Sequence, residues 1–223
     1  MTRILTIERD VLAREKMAAQ EFRAMLASRG TLIVNLLSSP GSGKTTLLAE
    51  TAKRWKDRYR LGVLVGDIAT DRDAQKLAPW VPAIQLTTGG ACHLGLPQVQ
   101  RGWEQWEGER LDFLFIENIG NLVCPSSHDL GEHTRVVLLS TTEGDDKPGK
   151  YPKVFRTSHG VVISKLDLLP HVPFSIPAAS DDARKVQPHL EIIPLSALSG
   201  EGLDVWLRFL ETQRAMHVCN DCS

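Results

Sequence analysis

The residues Ser38-Ser39-Pro40-Gly41-Ser42-Gly43-Lys44-Thr45 have the types and spacing needed to hold a polyphosphate. Glycines let backbone N–H groups turn toward a phosphate, and the start of a following helix adds partial positive charge. Lys44 would reach the β- and γ-phosphates, and the Thr45 hydroxyl would ligate Mg²⁺. Residues Ser39, Pro40, Gly41, Ser42, Gly43, Lys44, Thr45 and Thr46 form the candidate phosphate contact, with Ser38 standing where the usual pattern has its first glycine. Acids at strand ends beside such a loop manage the cation and the attacking water. Asp67 is the first choice for Mg²⁺, and Glu117 with Gly120 forms a Glu-x-x-Gly segment whose glycine amide would sense the γ-phosphate. Asp71 and Asp73 read equally well as helix N-terminal acids.

Base choice is written further along. Ser164-Lys165-Leu166-Asp167 lies where guanine-binding proteins carry Asn-Lys-x-Asp, and Ser196-Ala197 would support the base from below. A carboxylate at Asp167 accepts the donor pair on the guanine edge, which adenine lacks, while Lys165 would lie over the ring.

Two further groups carry metal-ligand types. Cys92-His93 and Cys124 follow strands on the nucleotide side and could converge, in which case two thiolates and an imidazole suit Ni²⁺ or Zn²⁺. Without other information, inert cysteines and a satisfied histidine are the plainer reading. His217, Cys219 and Cys222 have metal or redox spacing on the C-terminal tail, with a ligand role and a bland one evenly balanced. His128, His133, His159, His171 and His189 read as solvated loop residues.

The elements that must position these residues alternate. Apolar runs at 31–37, 61–65, 81–87, 111–116, 135–140, 160–163 and 191–195 are strand candidates; helical patterns cover 7–28, 46–53, 71–78, 97–108 and 201–216, with a loop or short helix at 143–152. Continuous apolar strands separated by helices imply an α/β fold with a mostly parallel sheet flanked by helices, the site lying at the strand C-termini. The expected organisation is one domain over 1–216, including an N-terminal helix, and a cysteine-containing tail over 217–223. Composition narrows the partners: 26 Lys+Arg against 27 Asp+Glu leave a formal charge of -1 and no dense basic run, which disfavours nucleic acid. The first ten residues show no signal-peptide pattern and no apolar run could cross a bilayer, so the expectation is a cytoplasmic chain with four reduced cysteines.

Five segments together resemble the hydrogenase nickel-incorporation GTPases, the HypB family. They are Leu37–Thr45, Gly66-Asp-Ile-Ala-Thr-Asp71, Thr88-Gly-Gly-Ala-Cys-His93, Ile116-Glu-Asn-Ile-Gly-Asn-Leu-Val-Cys-Pro125 and Thr142-Glu-Gly-Asp-Asp-Lys-Pro148. The similarity runs to about residue 212, and the segments with Cys92-His93 and Cys124 are its specific part. The resemblance implies a P-loop GTPase of the SIMIBI class (signal-recognition/MinD-like) that cycles between GTP and GDP with Mg²⁺ and dimerises with GTP bound. It also implies a Ni²⁺ or Zn²⁺ site of Cys92, His93 and Cys124 at the dimer interface, and nickel delivery to the large-subunit precursor of a [NiFe] hydrogenase with a HypA-like partner. The N-terminal cysteine motif and histidine-rich stretch of some members are absent from this sequence, which makes nickel storage an unexpected role. The competing readings are a nucleotide-gated scaffold for maturation partners, a urease-accessory-like GTPase, and a small-molecule kinase.

Overall fold

The computed structural model describes residues 2–67, 72–106 and 108–218. Asp71, the expected start of a helix at that residue, and the tail residues Cys219 and Cys222 lie outside the described residues. Seven strands form one sheet: β1 (Leu32–Ser38), β2 (Leu61–Asp67), β3 (Ala83–Thr87), β4 (Phe113–Glu117), β5 (Thr134–Ser140), β6 (Gly160–Ser164) and β7 (Glu191–Pro194). Their spatial order is β3-β2-β4-β1-β5-β6-β7 and every pairing is parallel. A sheet covered on both faces needs strands apolar on both sides, and β1, β4, β5 and β6 are buried along their whole length.

Helices α1 (Thr2–Ser28), α2 (Lys44–Trp55), α3 (Arg72–Leu77), α4 (Leu96–Trp103), α5 (Lys147–Lys150), α6 (Pro152–Arg156), α7 (Ile176–Val186) and α8 (Leu203–His217) supply the two covers. On one face Leu47, Leu48 and Trp55 of α2 pack with Trp206, Phe209 and Leu210 of α8 over Val34, Leu36, Phe113 and Phe115. The Trp206 indole N–H donates to Thr51 Oγ1 at 2.9 Å, which satisfies both buried groups and fixes α8 against α2. On the other face Phe22 and Leu26 of α1 and Val99 and Trp103 of α4 cover Ile33, Leu64, Leu114 and Ile116. Each large side chain buried in this way contributes about 1.5–3 kcal/mol relative to exposure.

Several expectations change at this level. The helix expected at 7–28 begins at Thr2, since no Gly or Pro intervenes. The pattern at 97–108 resolves into α4 followed by a 3-10 turn at Glu104–Trp106. Helix α7 was not expected at all; it is capped by the Ser175 hydroxyl, which accepts from the Ala178 N–H. His133, read as solvated, is 5% exposed, and its Nδ1 accepts the Ile33 N–H at 3.0 Å. Among the described residues no helix is long and apolar enough to cross a membrane.

Candidate functional site

Because all seven strands are parallel, every loop that follows a strand opens at the same edge of the sheet. The phosphate loop follows β1 at the centre of that edge, Asp67 ends β2, Glu117 ends β4, and Lys165 follows β6. Together they line a cleft of ≈ 580 Å³ with Pro40, Gly41, Ser42, Gly43, Lys44, Thr45, Thr46 and Gly120. Gly41 and Gly43 have φ of 74° and 97°, a region closed to most side chains, so the loop requires glycine at both positions.

Lys44 is 7% exposed, and its ammonium donates to Ser38 Oγ at 2.7 Å. Burial lowers its pKa from the usual lysine value, with Glu117 opposing the shift. The residue that departs from the glycine pattern therefore has work to do: Ser38 holds the lysine head in place. Thr45 Oγ1 donates to Glu117 Oε1 at 2.7 Å, leaving the buried Glu117 Oε2 with no partner. Burial pushes the Glu117 carboxyl up to about 7, while Lys44 and the Thr45 hydroxyl pull it back. An orphaned buried carboxylate oxygen beside a threonine hydroxyl and Asp67 is a donor set that fits a hard divalent cation with oxygen ligands. Asp73 also lines the cleft and pairs with Lys76 at 2.8 Å.

The segments at 164–167 and 196–197 meet. Ser164 Oγ, buried, donates to the Ser42 carbonyl at 2.7 Å, so serine ties the strand to the phosphate loop where asparagine was expected. Lys165 adopts φ 62°, a left-handed conformation uncommon for a non-glycine residue and characteristic of functional turns. The Ser196 hydroxyl donates to Asp167 Oδ1, joining the two segments. Asp167 itself is exposed.

One constellation was missed by sequence reasoning. Lys147 Nζ donates to Ser39 Oγ at 2.6 Å and pairs with Glu143 at 2.5 Å, while Glu143 accepts from the Ser42 hydroxyl. Burial opposes ionisation of Glu143, but hydrogen bonds from Lys147, Ser42 and Ser39 outweigh it and hold its carboxyl below the usual range. This clamp grips the phosphate loop from the β5 side. Its signal was the i,i+4 spacing of an acid and a lysine beside a proline-started turn.

Beyond Glu117 the chain runs directly to the thiols. Gly120 is packed against the phosphate loop: a Cβ there would lie 2.8 Å from Pro40 Cα and 2.9 Å from Pro40 N. Gly120→Ala must therefore push the segment off Pro40, and a fall in nucleotide turnover without loss of the thermal melt is expected. Turnover equal to wild type would show that the contact is passive.

The two loops that carry Cys92, His93 and Cys124 meet. Thr88-Gly89-Gly90-Ala91 turns the chain, with φ of 62° and 100° at the glycines and Thr88 Oγ1 donating to the Ala91 carbonyl at 2.7 Å. Asn121 Nδ2 donates to the Cys92 carbonyl at 3.4 Å, tying the two loops together. Cys92 Sγ lies 3.8 Å from His93 Nδ1, and the two thiols shift one another: Cys92, then Asn121, holds Cys124 below the usual thiol range, and Cys124 pushes Cys92 above it. His128, read as solvated, is half-buried with its ring stacked on His93, centroids 3.8 Å apart at 10°. Among the described residues, no three Cys, His, Asp or Glu side chains stand in a ready cage for an ion. His217 closes α8 with its ring centroid 5.8 Å from that of His133, while Cys219 and Cys222 lie outside the described residues.

The family model for the CobW/HypB/UreG nucleotide-binding domain matches residues 32–194. The chain is 48% identical over 213 residues to the hydrogenase maturation factor HypB of Escherichia coli K12, covering 95% of this chain and 73% of that protein. The crystal structure of HypB from Helicobacter pylori in complex with nickel superposes with a TM-score of 0.87 at 36% identity, covering 94% of this chain and 99% of the other. FtsY from Mycoplasma mycoides shares the fold at a TM-score of 0.58 and 16% identity, covering 84% and 67% of the two chains.

Proposed function

From a chain that belongs to the CobW/HypB/UreG nucleotide-binding family, and within it to the HypB hydrogenase maturation factors, we propose a GTP-hydrolysing metallochaperone that hands nickel to the large-subunit precursor of a [NiFe] hydrogenase. The observation that carries this reading is the contact of Gly120 with Pro40, because one continuous segment joins the phosphate loop to Cys124. A γ-phosphate that draws the Gly120 amide toward itself must move the thiol four residues on. Nickel is the cargo of this cycle, held by Cys92, His93 and Cys124.

Within the cleft, Lys44 would balance charge on the β- and γ-phosphates, and Thr45, Asp67 and Glu117 would hold Mg²⁺, which supplies further charge neutralisation there. Lys44 would have to release Ser38 to reach the phosphates; Ser38 would keep the bond its hydroxyl already donates to the Ser39 carbonyl at 2.6 Å. Glu143 and Lys147 hold Ser39 and Ser42, so the loop amides are aimed before the nucleotide arrives. The thiol pair lies at an exposed edge, which suits a GTP-dependent homodimer with its metal at the interface, a HypA-like protein as donor or acceptor, and a cytoplasmic setting. His217 with Cys219 and Cys222 forms a second, independent candidate group on the tail.

Base choice tests the nucleotide half of the reading. GTP should be preferred to ATP, and Asp167→Ala should erase most of that preference, since an unpaired carboxylate facing adenine costs about 1–3 kcal/mol. Ser164→Ala should weaken both nucleotides, because its bond to Ser42 shapes the loop rather than the base pocket. Competition binding of the two nucleotides measures this. Equal affinity of wild type for GTP and ATP would refute the guanine assignment.

A further inference from the structure

Four ligand-type side chains, rather than three, lie on two loops that meet beside the nucleotide cleft. Cys124 precedes a 3-10 turn at Pro125–Ser127, and His128 closes it, its N–H donating to the Pro125 carbonyl at 3.2 Å. The turn folds His128 back toward the loop of Cys92 and His93. Its ring then stacks on His93, while His93 Nδ1 lies 3.8 Å from Cys92 Sγ and Asn121, three residues before Cys124, donates to the Cys92 carbonyl at 3.4 Å. We propose that His128 is a metal ligand, completing with Cys92, His93 and Cys124 an S₂N₂ site within a single chain for a borderline divalent cation, Zn²⁺ or Ni²⁺. This rests on the reading of the other three residues as ligands, and adds a nitrogen that the sequence reading assigned to solvent.

The chemistry suits the set. Two thiolates and two imidazoles satisfy tetrahedral Zn²⁺ without water, and the same four donors can flatten into the square-planar arrangement favoured by Ni²⁺. The stack as it stands is not the bound geometry. An imidazole lone pair lies in its ring plane, and two parallel planes 3.8 Å apart share no point at which one ion could sit. One ring must turn about its Cα–Cβ bond. Room for that exists, because His128 borders a cavity of ≈ 390 Å³ lined also by Arg23, Ser126, Asp129, Glu132 and Lys153. Two of the cations there are offset, Arg23 by Asp129 at 2.6 Å and Arg135 by Glu132, while Lys153 donates to the Ser127 hydroxyl at 2.6 Å. A complete set in one chain would let a monomer carry its cargo and give up one ligand when a partner arrives.

Stacking and ligation make different demands on residue 128, and that difference gives the test. His128→Phe keeps an aromatic face against His93 but removes both nitrogens. The GDP-loaded full chain is titrated with Zn²⁺ and with Ni²⁺ against a chromophoric chelator, as wild type, His128→Phe and Cys124→Ala, with X-ray absorption to count sulfur and nitrogen donors. The expected result is one metal per chain in wild type at concentrations where the chain is monomeric. His128→Phe should bind at least about tenfold more weakly, a loss reached even when outer-shell partners of a ligand are removed, with one nitrogen fewer. Equal affinity and donor count in His128→Phe would overturn the proposal and leave His128 as a stacking residue. Unchanged binding in Cys124→Ala would instead overturn the underlying three-residue site. If the Phe variant fails to fold, His128→Asn carries the same comparison.

Discussion

Replacing Lys44 by Ala is expected to lower GTP turnover by about 10²–10³-fold, the cost of removing one preorganised charge or donor from a transition state. The lysine sits 7% exposed at the base of the cleft with a single hydrogen bond, to Ser38, so the fold has placed a desolvated ammonium where phosphate charge would gather. Desolvation magnifies what that charge is worth to an anion. The fold should tolerate the change, because the apolar core around Leu47 and Leu48 does not involve the ammonium. Steady-state hydrolysis with a melt as control measures the effect. Turnover equal to wild type would remove this loop from the chemistry.

Cys124→Ala is expected to abolish tight nickel binding while leaving GTP affinity close to wild type. Cys92 and then Asn121 hold its pKa below the usual thiol range while that of Cys92 is raised, so of the two it is the sulfur more readily available as thiolate. No phosphate-binding residue depends on it: the contact between its segment and the phosphate loop is made at Gly120. The variant thus separates the two halves of the site. Isothermal titration with nickel and, separately, with GTP would check both. A parallel loss of GTP affinity would mean that the thiol supports the nucleotide cleft rather than a metal.

How much of this was legible in the sequence follows from physics. The seven strands could be read because a parallel sheet buried on both faces demands continuous apolar runs, as in Leu32-Ile-Val-Asn-Leu-Leu37 and Phe113-Leu-Phe-Ile116. Helix α7 could not, since Ile176–Val186 buries only Ala179, Ser180 and Ala183 and so writes no large-residue stripe. The convergence of residues 40–46, Glu117, Gly120 and Lys165 on one cleft was legible because each lies at a local spacing after a strand, and the parallel sheet brings those positions to one edge. The grip of Glu143 and Lys147 on Ser39 and Ser42 and the His93–His128 stack were not, because they are tertiary contacts between loops after different strands. His133 shows the converse error: a histidine in a loop reads as solvated until the strand edge that uses its Nδ1 is known.

The account stands on the coupling of nucleotide state to the thiol site through the segment from Glu117 to Cys124. Nickel titration of the wild-type protein, loaded first with GDP and then with a non-hydrolysable GTP analogue, tests that coupling directly. The predicted result is a difference in affinity, in the absorption spectrum of the bound metal, or in both, with the affinity ratio about 5–150-fold and matched by the effect of nickel on the preference for GTP over GDP. Identical isotherms and identical spectra in the two nucleotide states would contradict it, leaving a GTPase and a metal site that merely share a surface.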